Sequence, residues 1–177
     1  MFTIIALGAI AMAAALIYLR QRRGQQGLAQ GLAGAPASLR AAARRLSYRT
    51  QADVHPVASI PSAQICTAAM AAAFGHMDDN TPPGDAVLSA ALQKHLQVTP
   101  EQSADMITLA HWLVEQGGGP TPAFERLTKR LKQLDHGPSF DKLMRVLGDV
   151  AAAGTKGMPS PRQADAMGAL ARIFRTA

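Results

Sequence analysis

The chain is poor in the residues that build β-sheets, disulfides and metal-thiolate clusters. It holds one cysteine and one tryptophan in 177 residues, and aromatic residues make up 5% of it. The lone Cys66 excludes an intramolecular disulfide and any site built on a pair of cysteines. β-branched and aromatic residues are sparse, and no alternating apolar run of strand length occurs. The sequence therefore predicts an all-α protein.

Motifs that carry catalysis are also missing. The five histidines are scattered and show none of the spacings typical of a helix-borne zinc site. No Walker loop, dinucleotide-binding glycine loop or nucleophile elbow is present, and the three glycines 117–119 are interpreted as a helix stop. His76 near Asp78 leaves an acid–base pair open as a weaker alternative. We expect a protein that is not an enzyme and that needs no cofactor.

The N-terminus carries the one long apolar run. Residues 2–19 contain no charge, and arginines follow at once. At about 1.5 Å per residue this run spans roughly 27 Å, close to the hydrocarbon thickness of a bilayer. Because basic residues are retained on the cytoplasmic side, the N-terminus is expected outside and the rest inside. Residues 1–23 are thus predicted to be a single-pass anchor in a bacterial inner membrane.

A cleavable signal peptide is the alternative interpretation of the same run. Alanines at 11 and 13–15 would suit a peptidase, but the apolar residues Leu16–Leu19 continue past them. Signal peptides also carry their positive charge before the apolar core, where this chain has only Met1. The anchor is the favoured prediction.

Positive charge is concentrated in the first third of the chain. Residues 1–53 hold seven arginines and one acid, whereas residues 54–177 hold equal numbers of basic and acidic residues. A nucleic-acid-binding protein is expected to carry its basic surface on the folded domain, so no nucleic-acid partner is predicted. Basic residues beside a membrane span bind anionic headgroups, at about 1 kcal/mol each. The predicted membrane-surface residues are Arg20, Arg22, Arg23, Arg40, Arg44 and Arg45.

Composition divides the rest of the chain into a tether and a domain. Residues 24–61 are rich in glycine, alanine and arginine and are predicted to be a tether. Within it, residues 37–48 are consistent with a short basic helix on the membrane surface. Residues 50–61 contain two prolines and no periodicity, which is typical of a linker. Residues 62–177 are long enough for one small domain with its own core.

Capping signals and apolar stripes divide that domain into about six helices. Thr99 and Ser160 are each followed by a proline and, three residues on, by a glutamine, which is the pattern of a capping box. Glycine and proline clusters mark the stops. The predicted helices span about 62–76, 84–97, 100–116, 122–134, 139–153 and 161–175, and together predict a compact helical bundle.

The order of these elements resembles the TerB-like domain, which is named for tellurite-resistance proteins and also occurs in DjlA-type membrane-anchored co-chaperones. The resemblance covers residues 62–177: an Ala-rich helix, an acidic loop, a helix, and then Leu96-Gln97-Val98-Thr99-Pro100-Glu101-Gln102. It implies a TerB-like helical domain behind an N-terminal membrane anchor. The chain has no His-Pro-Asp motif, so the J-domain activity of those co-chaperones is not expected.

The family's acidic loops are associated with metal binding, and the resemblance places three carboxylates at the first loop. Asp78, Asp79 and Asp85 are the candidate ligands, and carboxylates in this number suit a hard cation such as Ca²⁺. The second loop departs from the family pattern, because residues 154–157 contain no acid and Gln163 stands where Glu is frequent. The alternative is that the three aspartates cap helices and solvate a turn.

One cluster of cations suggests a docking face. Arg126, Lys129, Arg130 and Lys132 lie on the fourth predicted helix, largely away from its apolar stripe. They suit an acidic protein partner or the membrane surface. The alternative is a solvated face in which Glu125 and Lys129 form a helical ion pair.

Two functions follow from these patterns. The favoured one is a non-enzymatic interaction module, an adaptor or accessory subunit that binds a membrane protein at the cytoplasmic face. The alternative is a metal- or stress-responsive protein, similar to tellurite-resistance proteins, that binds a cation at the acidic loop.

Overall fold

The computed structural model describes residues 31–51, 53–77, 82–154 and 157–175. Within these ranges it contains seven α-helices and no strand, so the predicted all-α class is confirmed. The helices are α1 (Ala37–Arg45), α2 (Ala63–Gly75), α3 (Asp85–Leu96), α4 (Pro100–Gln116), α5 (Pro120–Asp135), α6 (Phe140–Ala152) and α7 (Pro161–Arg175).

The six helices predicted between residues 62 and 177 are all present, and each end lies within two residues of the prediction. Both predicted capping boxes form. The Thr99 hydroxyl accepts the backbone N–H of Gln102, whose side chain accepts the N–H of Thr99 in return. Ser160 and Gln163 make the same pair of bonds at the start of α7. Local sequence therefore determines where these helices begin.

Helix α2 is the centre of the domain. Every residue from Ile65 to Gly75 is buried, and the helix contacts α3, α4, α5 and α6. A helix that is apolar on all sides is stable only when other elements cover all of it. Its small alanine side chains allow those neighbours to approach closely.

Helices α5 and α6 present one apolar face each to this centre. Leu127 and Leu131 of α5, and Leu143 and Leu147 of α6, are completely buried. The predicted core stripes of these two helices are confirmed. Trp112 is partly buried at the edge of the core, where its ring meets Tyr48 edge-on at 6.1 Å between centroids.

The core also includes residues that precede Ser62. Helix α1 packs on α4, with Leu39 and Ala43 buried. A short 3-10 turn, Pro56–Ser59, packs on α4 and α5, and the buried Tyr48 hydroxyl donates to the carbonyl oxygen of Pro56 at 2.8 Å. Part of the segment predicted as tether and linker is therefore packed against the helical bundle.

Among the helices that the structure describes, none combines the length and the apolar character needed to cross a bilayer. The predicted anchor at residues 1–23 lies outside the described residues.

Candidate functional site

An open groove lies between α5 and α7. The two helices are joined near their C-terminal ends, where the Lys132 ammonium donates to the carbonyl oxygen of Ile173 at 2.9 Å. Between them lies a space of about 590 Å³. Lys132 was predicted to dock a partner, but in the structure it binds the last turn of α7, where the helix dipole favours a cation.

The groove has an apolar floor and a charged rim. Phe124 and Leu170 are buried at its base, and Ala169 and Ile173 line its side. The exposed rim residues are Thr121, Glu125 and Lys129 on α5, with Arg162 and Asp165 on α7. Concave apolar surfaces bordered by charge are typical of sites that receive the apolar face of a ligand or partner while the border stays hydrated.

A second, basic cleft lies beside the groove on a neighbouring face of α5, and Glu125 and Lys129 line both. It encloses about 460 Å³ between α5 and the turn that begins at Pro56. Arg126, Lys129 and Arg130 line one wall and His55 lines the other. Three of the four residues predicted as a docking face thus share one cleft, and the fourth, Lys132, is held by α7.

Arg130 is fixed in place by the main chain of the turn opposite. Its Nε and Nη2 atoms donate to the carbonyl oxygen of Ile60 at 3.1 and 2.6 Å. These two bonds hold the guanidinium in one orientation. The predicted helical ion pair between Glu125 and Lys129 is not formed in the described structure.

His55 shapes the wall of this cleft. Its Nδ1 accepts the backbone N–H of Val57 at 3.2 Å, which caps the 3-10 turn. Burial and the nearby Arg126 lower the pKa of His55, against the opposite effect of the Gln116 backbone. Nothing in the residues around His55 singles it out, because its role depends on a turn that folds back on α5.

The structure describes three of the six predicted membrane-surface arginines, and these three differ in their contacts. Arg40 and Arg44 are exposed on α1. Arg45 instead binds both carboxylate oxygens of Asp105 on α4, and this contact lowers the pKa of Asp105. Arg20, Arg22 and Arg23 lie outside the described residues.

The predicted metal site is only partly described. Asp78 and Asp79 lie outside the described residues. The Asp85 carboxylate, at the start of α3, is 2.8 Å from Nε2 of His111 on α4. Among the described residues no group of three histidine, cysteine or acidic side chains is arranged to hold a metal ion.

Two histidines meet beside this carboxylate. The ring of His76, which follows α2, meets the ring of His111 edge-on at 5.5 Å between centroids. Burial and His111 lower the pKa of His76, against the opposite effect of Asp85. His111 is far from His76 and Asp85 in the sequence, so the spacing of these three residues did not predict this cluster.

Cys66 has the structural role that its apolar surroundings predict. It is fully buried in α2, its Sγ donates to the carbonyl oxygen of Leu127 at 3.3 Å, and burial raises the pKa of the thiol. Since the thiolate is the reactive form, this cysteine is protected from oxidation and alkylation.

Comparisons with protein-family models, with curated proteins and with solved structures find no match to this chain. The resemblance to the TerB-like domain therefore stays a prediction from the sequence.

Proposed function

We propose that the protein is a non-enzymatic interaction module, an adaptor or accessory subunit whose helical domain binds a partner protein at the cytoplasmic face of a membrane. The observation that carries this proposal is the groove between α5 and α7. Phe124, Leu170 and Ile173 give it an apolar lining, and the charged rim lies in water. An amphipathic helix of the partner fits such a groove with its apolar face inward.

The charged residues of the rim orient that helix in the groove. Helix α5 contributes Glu125 and Lys129, and α7 contributes Arg162 and Asp165, so each side carries both signs of charge. Charges of this kind set the register of a bound helix and reject wrong partners more than they add affinity. We infer a partner helix with both acidic and basic residues beside its apolar stripe.

The membrane location of the module is part of the proposal and rests on the sequence. Residues 2–19 supply an uncharged span, and the arginines that follow orient the domain toward the cytoplasm. A single-pass anchor of this kind holds the groove near membrane proteins and raises their effective concentration around it.

The groove is tested by two matched substitutions on α7. Ala169 lines the groove, whereas Ala164 is exposed on the same helix away from it. The full-length protein and its Ala169→Glu and Ala164→Glu variants are purified from membranes in mild detergent, and retained proteins are identified by mass spectrometry. A stoichiometric partner kept by Ala164→Glu and lost by Ala169→Glu supports the proposal. Equal retention by both variants, or no partner at all, contradicts it.

The location is tested separately. Membranes are extracted with alkaline carbonate, and inverted vesicles are treated with protease. The proposal expects the chain to stay in the membrane fraction and its C-terminal domain to be digested from the cytoplasmic side. Release by carbonate would contradict the predicted anchor, but it would not contradict the proposal about the groove.

A further inference from the structure

Positive charge is concentrated in the cleft between α5 and the turn Pro56–Ser59, although the domain as a whole has no net charge. Residues 54–177 hold as many acids as bases. The cleft is lined by Arg126, Lys129 and Arg130 and by one acid, Glu125. Like charges three and four residues apart on a helix repel each other, and a bound anion relieves that repulsion.

The cations also share one face of α5. Positions 126, 129 and 130 are separated by three and four residues, so their side chains project from neighbouring turns toward the same space. Within the described part of the chain, neither Arg126 nor Lys129 has an ion-pair partner. Both are exposed. Two hydrated cations and the oriented guanidinium of Arg130 therefore line a concave surface of about 460 Å³.

The number and kind of donors indicate the chemistry of the ligand. Guanidinium groups donate in pairs to the oxygens of carboxylates and phosphates, and an ammonium adds a point charge. One carboxylate brings a single negative charge and two oxygens. A phosphate monoester brings up to two charges and three strongly accepting oxygens, which matches three cations.

The geometry points to a phosphate-binding site in this cleft, formed by Arg126, Lys129 and Arg130. The phosphate is a monoester, carried either by a lipid headgroup such as that of phosphatidic acid or by a soluble phosphate compound, and both present three free oxygens to the site. Of the three cations only Lys129 also lines the groove between α5 and α7, so the inference is carried by Arg126 and Arg130 as well and does not depend on that groove.

Lysine footprinting tests the site within one molecule. The full chain in phosphatidylcholine nanodiscs is acetylated with a succinimidyl ester, and the rates at Lys129 and Lys142 are read by peptide mass spectrometry. Lys142 is an exposed lysine on α6 outside the cleft and serves as the internal control. One arm adds inorganic phosphate, and the other replaces part of the phosphatidylcholine with phosphatidic acid, whose headgroup is a phosphate monoester.

The expected result is a several-fold slower acetylation of Lys129 relative to Lys142 in at least one arm. Protection by inorganic phosphate identifies a soluble ligand, and protection by phosphatidic acid alone identifies a headgroup. Arg126→Gln should abolish the protection, whereas Arg145→Gln, which removes an exposed arginine of α6, should leave it unchanged. No protection in either arm, or equal loss in the two variants, overturns the inference.

Discussion

The side-chain amide of Gln163 donates to the backbone carbonyl oxygen of Phe74 at 3.0 Å, across 89 residues of sequence. Its carbonyl oxygen meanwhile accepts the backbone N–H of Ser160 at 2.9 Å, within the capping box of α7. Gln163 is 4% exposed, so water does not replace either partner. One side chain thus caps the first turn of α7 and binds the last turn of α2. These two roles need a donor and an acceptor on the same side chain.

Replacing Gln163 with glutamate separates these two roles. A carboxylate still accepts the Ser160 N–H, but it has no N–H for the Phe74 carbonyl and places negative charge beside it. We expect Gln163→Glu to lower the free energy of unfolding by about 1–3 kcal/mol, measured by urea denaturation.

The matched control is Gln102→Glu at the capping box of α4. Gln102 is exposed, and only its side-chain oxygen is used, by the N–H of Thr99. A carboxylate in the first turn keeps this bond and suits the helix dipole. Similar losses in both variants would show that the bond to Phe74 contributes nothing.

A larger side chain at any buried position of α2 should destabilise the domain. Ala69 is completely buried between helices. We expect Ala69→Leu to lower the free energy of unfolding by about 1–3 kcal/mol, because neighbouring helices must move to admit three more carbons. Ala90→Leu, at an exposed position of α3, should change it little. A stable Ala69→Leu variant would mean that α2 has room around it.

Two adjacent arginines of α1 should behave differently. Arg45 binds both carboxylate oxygens of Asp105, whereas Arg44 is exposed on the same helix. Arg45→Gln should raise the rate of amide hydrogen exchange across α1, because the helix loses its charged contact with α4, and Arg44→Gln should not. Equal exchange rates in the two variants would assign the attachment of α1 to its apolar contacts alone.

Stability should fall as the pH drops below the ordinary histidine pKa of about 6.5. The pKa values of His55 and His76 are lowered in the folded state, so the unfolded chain binds more protons in this range. Above that pH both histidines are neutral and their contribution to stability is complete. As the pH falls, each must bind a proton that the folded state disfavours, and this contribution is lost. The carboxyl groups of Asp105 and Asp149 have lowered pKa values, so their stabilisation is lost only in stronger acid.

The measurement is the Tm between about pH 8 and about pH 5, a range that brackets the ordinary histidine pKa. His76→Gln should flatten the fall, because the variant binds no proton at that site. His136→Asn replaces an exposed histidine at the end of α5 and should keep the wild-type dependence. A wild-type Tm that is constant over this range would contradict the assignment.

Helix ends and apolar faces were predictable because they depend on residues close in sequence. The boxes begun by Thr99 and Ser160 mark the starts of α4 and α7, and the stripes of α5 and α6 have helical spacing. Both depend on contacts within one or two turns.

Contacts between distant residues were not predictable in the same way. The bond of Arg45 to Asp105 spans 60 residues, and that of Arg130 to Ile60 spans 70. The residues around Arg45 do not indicate its partner on α4, and the membrane-surface role of α1 stays a prediction. The residues around Lys132 likewise do not indicate its acceptor, which is a backbone atom of α7.

The position of α2 in the chain has a consequence during synthesis. The helices that cover it, α3 to α6, are all translated after it, and the last of them ends 77 residues beyond Gly75. At about 5–20 residues per second, the ribosome needs roughly 4–15 s to complete them. Until then an apolar helix of 13 residues is at most partly covered. We therefore expect the nascent chain to bind chaperones that hold exposed apolar segments until α6 emerges.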